Sequence, residues 1–120
     1  MVEAHAAVDP AEAHIDRLLH ALSDATRRDI VRHTLRGEHS VSSLARRYPM
    51  SFAAVQKHVA VLHRAGIVSK QAKGREQLVR ADIDAVRTVA RLLDQYEAIW
   101  RGRMDRIDAL LAEPEQGADP

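Results

Sequence analysis

The chain has 120 residues, almost half of them apolar, with few aromatics and no Cys. That length fits one domain whose modest core gains from a partner. The lack of Cys excludes a disulfide scaffold, a thiol nucleophile and a thiolate-bound metal or cluster, and no run approaches the roughly 20 apolar residues that a membrane span requires. The net charge of +1 hides a division: residues 1–22 carry −3, residues 23–81 carry +8, and residues 82–120 carry −4. A basic centre between acidic ends is expected where only the middle of a chain meets a polyanion. Met1 to Pro10 has neither the basic start nor the apolar run of a signal peptide, so the expected location is cytoplasmic.

Residues 1–10 are Ala-rich and read as a flexible N-terminal segment ending at Asp9-Pro10. A first helix is predicted over Ala11–Leu22, with Ile15, Leu18, Leu19 and Leu22 on one face at three- and four-residue spacing. Ser23 and Asp24 both offer an N-cap to a second helix, Ala25–Arg36, with Ile30, Val31 and Leu35 inward. Arg27 and Arg28 fall in its first turn, where the helix dipole disfavours cations. Such a placement implies an acid within the fold or a phosphate outside it. Gly37 ends this helix, and Ser40 caps a short one, Val41–Arg47, with Val41, Leu44 and Ala45 inward and Arg46 and Arg47 outward.

Tyr48-Pro49-Met50 leads into the segment around which the chain is arranged, the helix Ser51–Ala65. Ser51 is its N-cap and Gly66 its stop. Val55, Val59 and Leu62 share its inner stripe, and Ala53, Gln56, Lys57, Ala60 and Arg64 lie opposite. Small side chains let a backbone come close to another surface, and Gln pairs bidentately with adenine in the major groove. Two short helices so joined form a helix-turn-helix. The period then changes: Ile67–Ala72 and Glu76–Arg80 read as strands around the turn Lys73-Gly74-Arg75. A hairpin with a basic tip directly after a helix-turn-helix is a wing, with cations placed for a phosphate backbone or the minor groove.

Asp82 caps the longest predicted helix, Ile83–Ala112, which at ~1.5 Å per residue spans roughly 45 Å. So small a globule cannot cover that length. Its apolar band includes Leu92, Tyr96, Ile99, Trp100, Ile107 and Leu110, and implies burial against a second copy with Ile15, Leu18 and Leu19 of the first helix assisting. Residues 113–120 read as a disordered acidic tail. The expected fold is mainly α, a winged helix-turn-helix over residues 11–112 with five helices and a two-stranded wing, assembled as a homodimer through helices at both ends.

Three stretches, Ala21–Val31, Val41–Ala45 and Met50–Val68, resemble the ArsR-type family of winged-helix transcriptional repressors. The likeness is carried by Met50-Ser51, Ala54-Val55, Lys57-His58-Val59, Val61-Leu62 and Ala65-Gly66-Ile67-Val68. It implies a homodimer with two recognition helices in successive major grooves of a pseudo-palindromic double-stranded DNA operator. The DNA-contacting set is then Ser42, Arg46, Ser51, Phe52, Ala53, Gln56, Lys57, Ala60, Arg64, Lys73 and Arg75. Many members sense metals through Cys pairs, and this chain has none; others use His and carboxylates on the last helix, and residues 82–112 contain no His. The seven His lie at 5, 14, 20, 33, 39, 58 and 63, and His58, at a position common in the family, is given a structural role. Neither a metal nor another cofactor is assigned, and no residue set identifies an inducer. Trp100 with Arg101, Arg103 and Arg106 resembles the branch lacking metal-sensing motifs.

The leading reading is a dimeric repressor that binds its operator. The alternatives are a winged-helix module that binds protein, for which a +8 segment has no use, and a zinc-responsive repressor with a site built across the dimer from His5, His14 or His20. A MarR-like arrangement is the runner-up fold and usually needs longer terminal helices. An enzyme is rejected, because the chain shows no paired carboxylates in a cleft, no Ser/His/Asp spacing, no phosphate-binding Gly loop and no closed metal set.

Overall fold

The computed structural model describes residues 9–112. The expectations for residues 1–8 and for the 113–120 tail lie outside the described residues. Among the described residues, five helices and three strands follow in the order α1 (Pro10–Ala21), α2 (Ala25–Arg36), β1 (His39–Ser40), α3 (Val41–Ala45), α4 (Phe52–Arg64), β2 (Val68–Lys73), β3 (Glu76–Ala81) and α5 (Ile83–Ala112). They divide into two units, one up to Val89 and one from Ala90 onward.

The helix ends follow from local chemistry. Asp9 and Pro10, predicted as part of a flexible segment, open α1: Asp9 Oδ1 accepts from Ala11 N (3.1 Å) and Pro10 occupies the first helical position, where its missing N–H costs nothing. Of the two cap candidates for α2, Asp24 takes the role by accepting from Arg27 N at 3.1 Å. Ser23 turns back instead and donates its Oγ to His20 O. Ser40 and Ser51 cap α3 and α4 by accepting from Ser43 N and Ala54 N. Helix α3 is shorter than expected and stops at Ala45, leaving Arg46 at its C-cap and Arg47 in the turn beyond.

Helix α4 closes with paired bonds, Gly66 N to His63 O and Ile67 N to Leu62 O, both 3.0 Å. This Schellman closure needs the positive φ of Gly66 (85°) and sets buried Ile67 close to Leu62.

The core joins Leu18 and Ala21 of α1, Ile30 and Val31 of α2, Val41 and Leu44 of α3, Val55, Val59 and Leu62 of α4, and Ile67, Val68 and Val79 of the wing and its approach. Each fully buried Leu or Ile contributes roughly 1.5–3 kcal/mol. Two expectations fail here. Leu18, assigned to the dimer, is fully buried in this chain's own core, because one apolar stripe on a helix can serve either purpose. Leu35, expected inward, is 44% exposed, and Thr34 is buried in its place with its hydroxyl donating to Ile30 O at 2.7 Å. That bond satisfies the hydroxyl within its own helix, which lets a polar side chain take a core position.

The sheet has three strands rather than two, in the order β1-β3-β2, all antiparallel. The extra strand is only two residues long, with His39 opposite Val79 and Ser40 opposite Leu78. In the wing, Val68 pairs with Ala81 and Lys73 with Glu76. The tip is therefore the two residues Gly74 and Arg75, with Gly74 at φ 64°. Ile67 precedes β2 instead of starting it.

Asp82 Oδ1 accepts from Asp84 N (2.9 Å) to start α5, whose Ala85 is buried and whose Val86 and Val89 pack on the core. From Ala90 the same helix is exposed at Leu93, Tyr96, Ile99, Trp100, Ile107, Leu110 and Leu111, while Leu92 is half-buried.

Candidate nucleic-acid interface

Helices α3 and α4, joined by the turn 46–51, present the expected contact residues to solvent. Ser42, Arg46, Ser51, Phe52, Ala53, Gln56, Lys57 and Arg64 are exposed, and Ala60 is half-buried. Lys73 and Arg75 are exposed at the wing tip. The outer face of α4 thus carries Phe52, Ala53, Gln56 and Lys57 over its first two turns, with Val55 and Val59 holding the inner face. A backbone bordered by Ala53 and Ala60 is open to close approach.

The cations of this region fall into two groups. Arg27, Arg28, Arg32 and Arg80 are engaged inside the fold. Arg28 Nη1 donates to Leu22 O (2.8 Å), Arg32 pairs with Asp29, and Arg80 Nη2 pairs with Glu38 Oε2 at 2.9 Å. By contrast, the side chains of Arg46, Lys57, Arg64, Lys73 and Arg75 make no hydrogen bond or ion pair with any other described residue. These unengaged side chains lie on α4, at the end of α3 and on the wing tip, and those of Arg36, Arg47 and Lys70 likewise make none.

Arg27 resolves the unfavourable position noted in the sequence. Its Nε donates to Ala21 O (2.7 Å) and its Nη2 to His20 O (3.2 Å), so the guanidinium caps the C-terminal carbonyls of α1, where a cation is favoured. Its Nη1 lies 3.2 Å from His58 Nδ1 on α4. Because guanidinium has no acceptor, Nδ1 is the accepting atom of this bond. His58 is therefore a scaffold contact, as assigned. Asp24 Oδ2 stands 3.9 Å from the same nitrogen. The Arg27 backbone N–H holds the Asp24 carboxyl below the usual range, and the nearby His58 and the Arg27 guanidinium add to this.

A second anchor sets the turn before α4. Tyr48 Oη donates to Asp29 Oδ2 on α2 at 2.8 Å, and His33 Nε2 lies 3.2 Å from the same oxygen. The Tyr48 bond is the main reason that the Asp29 carboxyl is held low, with His33 and Arg32 contributing. Burial, then the bond to Asp29, pushes the Tyr48 phenol well above its ordinary range. Neither pairing was legible in the sequence, where Tyr48 read only as part of a connection. Tyr as a rare aromatic beside Pro49 was the one available signal.

Among the described residues no cluster of three or more His, Asp or Glu side chains could hold a metal ion, and His5 lies outside them. No helix of the described residues is long and apolar enough to cross a membrane.

Residues 24–70 match the model of the bacterial regulatory protein, arsR family, from the cap of α2 into the wing. The HTH-type transcriptional regulator Rv2034 of Mycobacterium tuberculosis is 35% identical over 81 residues, spanning 68% of this chain and 76% of that protein. The chain belongs to the arsR family. An ArsR-like transcriptional regulator from Rhodococcus sp. RHA1 superposes with a TM-score of 0.70 at 35% identity, over 82% of this chain and 93% of that one. The homodimeric winged helix-turn-helix DNA-binding domain of a Mycobacterium bovis protein has the same fold, with a TM-score of 0.61 at 22% identity over 75% and 87% of the two chains. An arsR-family chain with this winged helix is a DNA-binding transcriptional regulator and not an enzyme.

Proposed function

We propose that this protein is a dimeric, cytoplasmic repressor that occludes a promoter by binding a pseudo-palindromic operator. Helix α4 enters the major groove. Gln56 reads adenine through its amide, Lys57 reads a base edge, and Phe52 and Ala53 touch thymine methyl groups. Ser42, Ser51, Arg46 and Arg64 bind flanking phosphates, and Lys73 and Arg75 lie along the backbone or in the minor groove. The observation that carries this reading is that the side chains of Arg46, Lys57, Arg64, Lys73 and Arg75 on α4, at the end of α3 and on the wing tip are exposed and make no hydrogen bond or ion pair with another described residue, whereas Arg27, Arg28, Arg32 and Arg80 are engaged within the fold.

The second copy is held by α5, at Leu92, Tyr96, Ile99, Trp100, Ile107 and Leu110, with Ile15 and Leu19 of α1. Leu19 is 42% exposed and Trp100 58%, large areas to leave wet in a single chain. The homodimeric Mycobacterium bovis domain supports the same assembly. Gel shifts against the protein's own promoter region test the reading. A retarded complex that weakens steeply with salt is expected, with a log–log slope near one unit per neutralised phosphate; a salt-independent complex, or none, refutes it.

A further inference from the structure

Between α1 and the C-terminal turn of α4 lies an open groove of about 270 Å³, lined by Asp16, Arg17, His20, Val61, Arg64 and Ala65. Its floor is largely carbon, and the side chains of Arg17 and Arg64 stand at it without a hydrogen bond or ion pair to any described residue. Both helix ends beside it have their carbonyls occupied. Those of His20 and Ala21 accept from Arg27, and those of Val61, Leu62 and His63 accept from Ala65 N, Ile67 N and Gly66 N. At α1 the Arg27 guanidinium offsets the negative helix end that would otherwise repel an anion. At about 100° per residue, Arg17 lies about 160° around α1 from both Ile15 and Leu19. Arg17 therefore stands on the flank of α1 away from its proposed dimer residues.

We infer that this groove binds a small monoanionic carboxylic acid with an apolar body, which occupies Arg64 and so weakens DNA binding. The second clause rests on the phosphate-contacting role proposed for Arg64. The carboxylate is received by Arg17 and Arg64, whose forked donors suit it, while the body lies on Val61 and Ala65. Asp16 limits the site to a single negative charge. The size is at the small end for ligand sites, which suits a benzoate-sized acid and not a nucleotide.

The test uses the full chain with benzoate as probe and neutral benzamide as its shape-matched control. In amide NMR titrations, benzoate should move the resonances of His20, Val61 and Ala65 saturably, and benzamide should not. Arg17→Ala should weaken benzoate binding about tenfold or more, the loss expected for one charge-assisted bond, while leaving benzoate-free DNA affinity unchanged. Benzoate should raise the Kd for promoter DNA in the natural chain and not in Arg17→Ala at the same concentration. The proposal is overturned by the absence of saturable shifts up to about 10 mM, by equal shifts with benzamide, or by undiminished benzoate binding in Arg17→Ala. Unmoved DNA affinity at saturating benzoate also overturns it, provided that Arg64→Ala itself weakens DNA binding. If Arg64→Ala leaves DNA affinity intact, the DNA role of Arg64 fails, and the titrations without DNA still decide the ligand site.

Discussion

Arg27 Nη1 stands 3.2 Å from His58 Nδ1, so a single guanidinium ties the end of α1 and the start of α2 to the middle of α4. The proposed recognition helix is thus fixed from its inner side by a residue outside the proposed contact set. Arg27→Ala leaves the carbonyls of His20 and Ala21 without this donor and should cost about 2 kcal/mol, the usual range for bonds to a charged group. Arg27→Lys should recover only part of this, since an ammonium lacks the planar fork. Urea unfolding midpoints check both, and equal stability of all three chains would remove the capping role.

Gln56→Ala with Lys57→Ala should leave the unfolding midpoint unchanged, because both side chains are exposed. Specific affinity should fall about tenfold or more, since one bidentate base contact is worth roughly 1–3 kcal/mol. Normal operator affinity in this double variant would sink the assignment of that face.

At the wing, Lys73→Ala or Arg75→Ala should weaken binding to every sequence alike. Each should lower the salt slope by about one unit if it removes one phosphate contact. Competition between operator and unrelated DNA measures this, and a loss confined to the operator would contradict a backbone role.

Trp100→Glu places a charge in the exposed apolar band of α5. Sedimentation equilibrium should find the natural chain dimeric and the variant largely monomeric, with DNA affinity lowered because two half-sites are no longer bound together. A variant that remains dimeric would move the interface elsewhere.

The Tyr48–Asp29 pair predicts a pH window for stability. Asp29 is held below its ordinary value by the Tyr48 hydroxyl, so its contribution is present above about pH 3.9 and is lost as pH falls through the lower folded value. Tyr48 is shifted upward, so its contribution is present below about pH 10 and declines as pH rises beyond that. Tyr48→Phe removes the bond, and its stability deficit should be widest near neutrality and shrink at both extremes. Urea unfolding at about pH 3, 7 and 10.5 reads the deficit; a constant deficit would mean that the bond contributes nothing.

The helix-turn-helix, the caps at Ser40, Ser51 and Asp82, the stop at Gly66 and the wing with its basic tip were determined by the sequence itself. Each depends on local chemistry, namely a hydroxyl or carboxylate within three residues of an orphan N–H, a positive φ, or a change of period from 3.6 to 2. The outward face of α4 was legible for the same reason, since Val55, Val59 and Leu62 leave only one side free. Tertiary structure alone decided what lies far apart in sequence. It sent Leu18 into this chain's own core, put Thr34 where Leu35 was expected, added His39–Ser40 as a third strand and paired Arg27 with His58 and Tyr48 with Asp29. An apolar stripe specifies that a helix face must be buried without specifying by what, and a polar side chain declares its need for a partner without naming it. Only the folded chain supplies those partners.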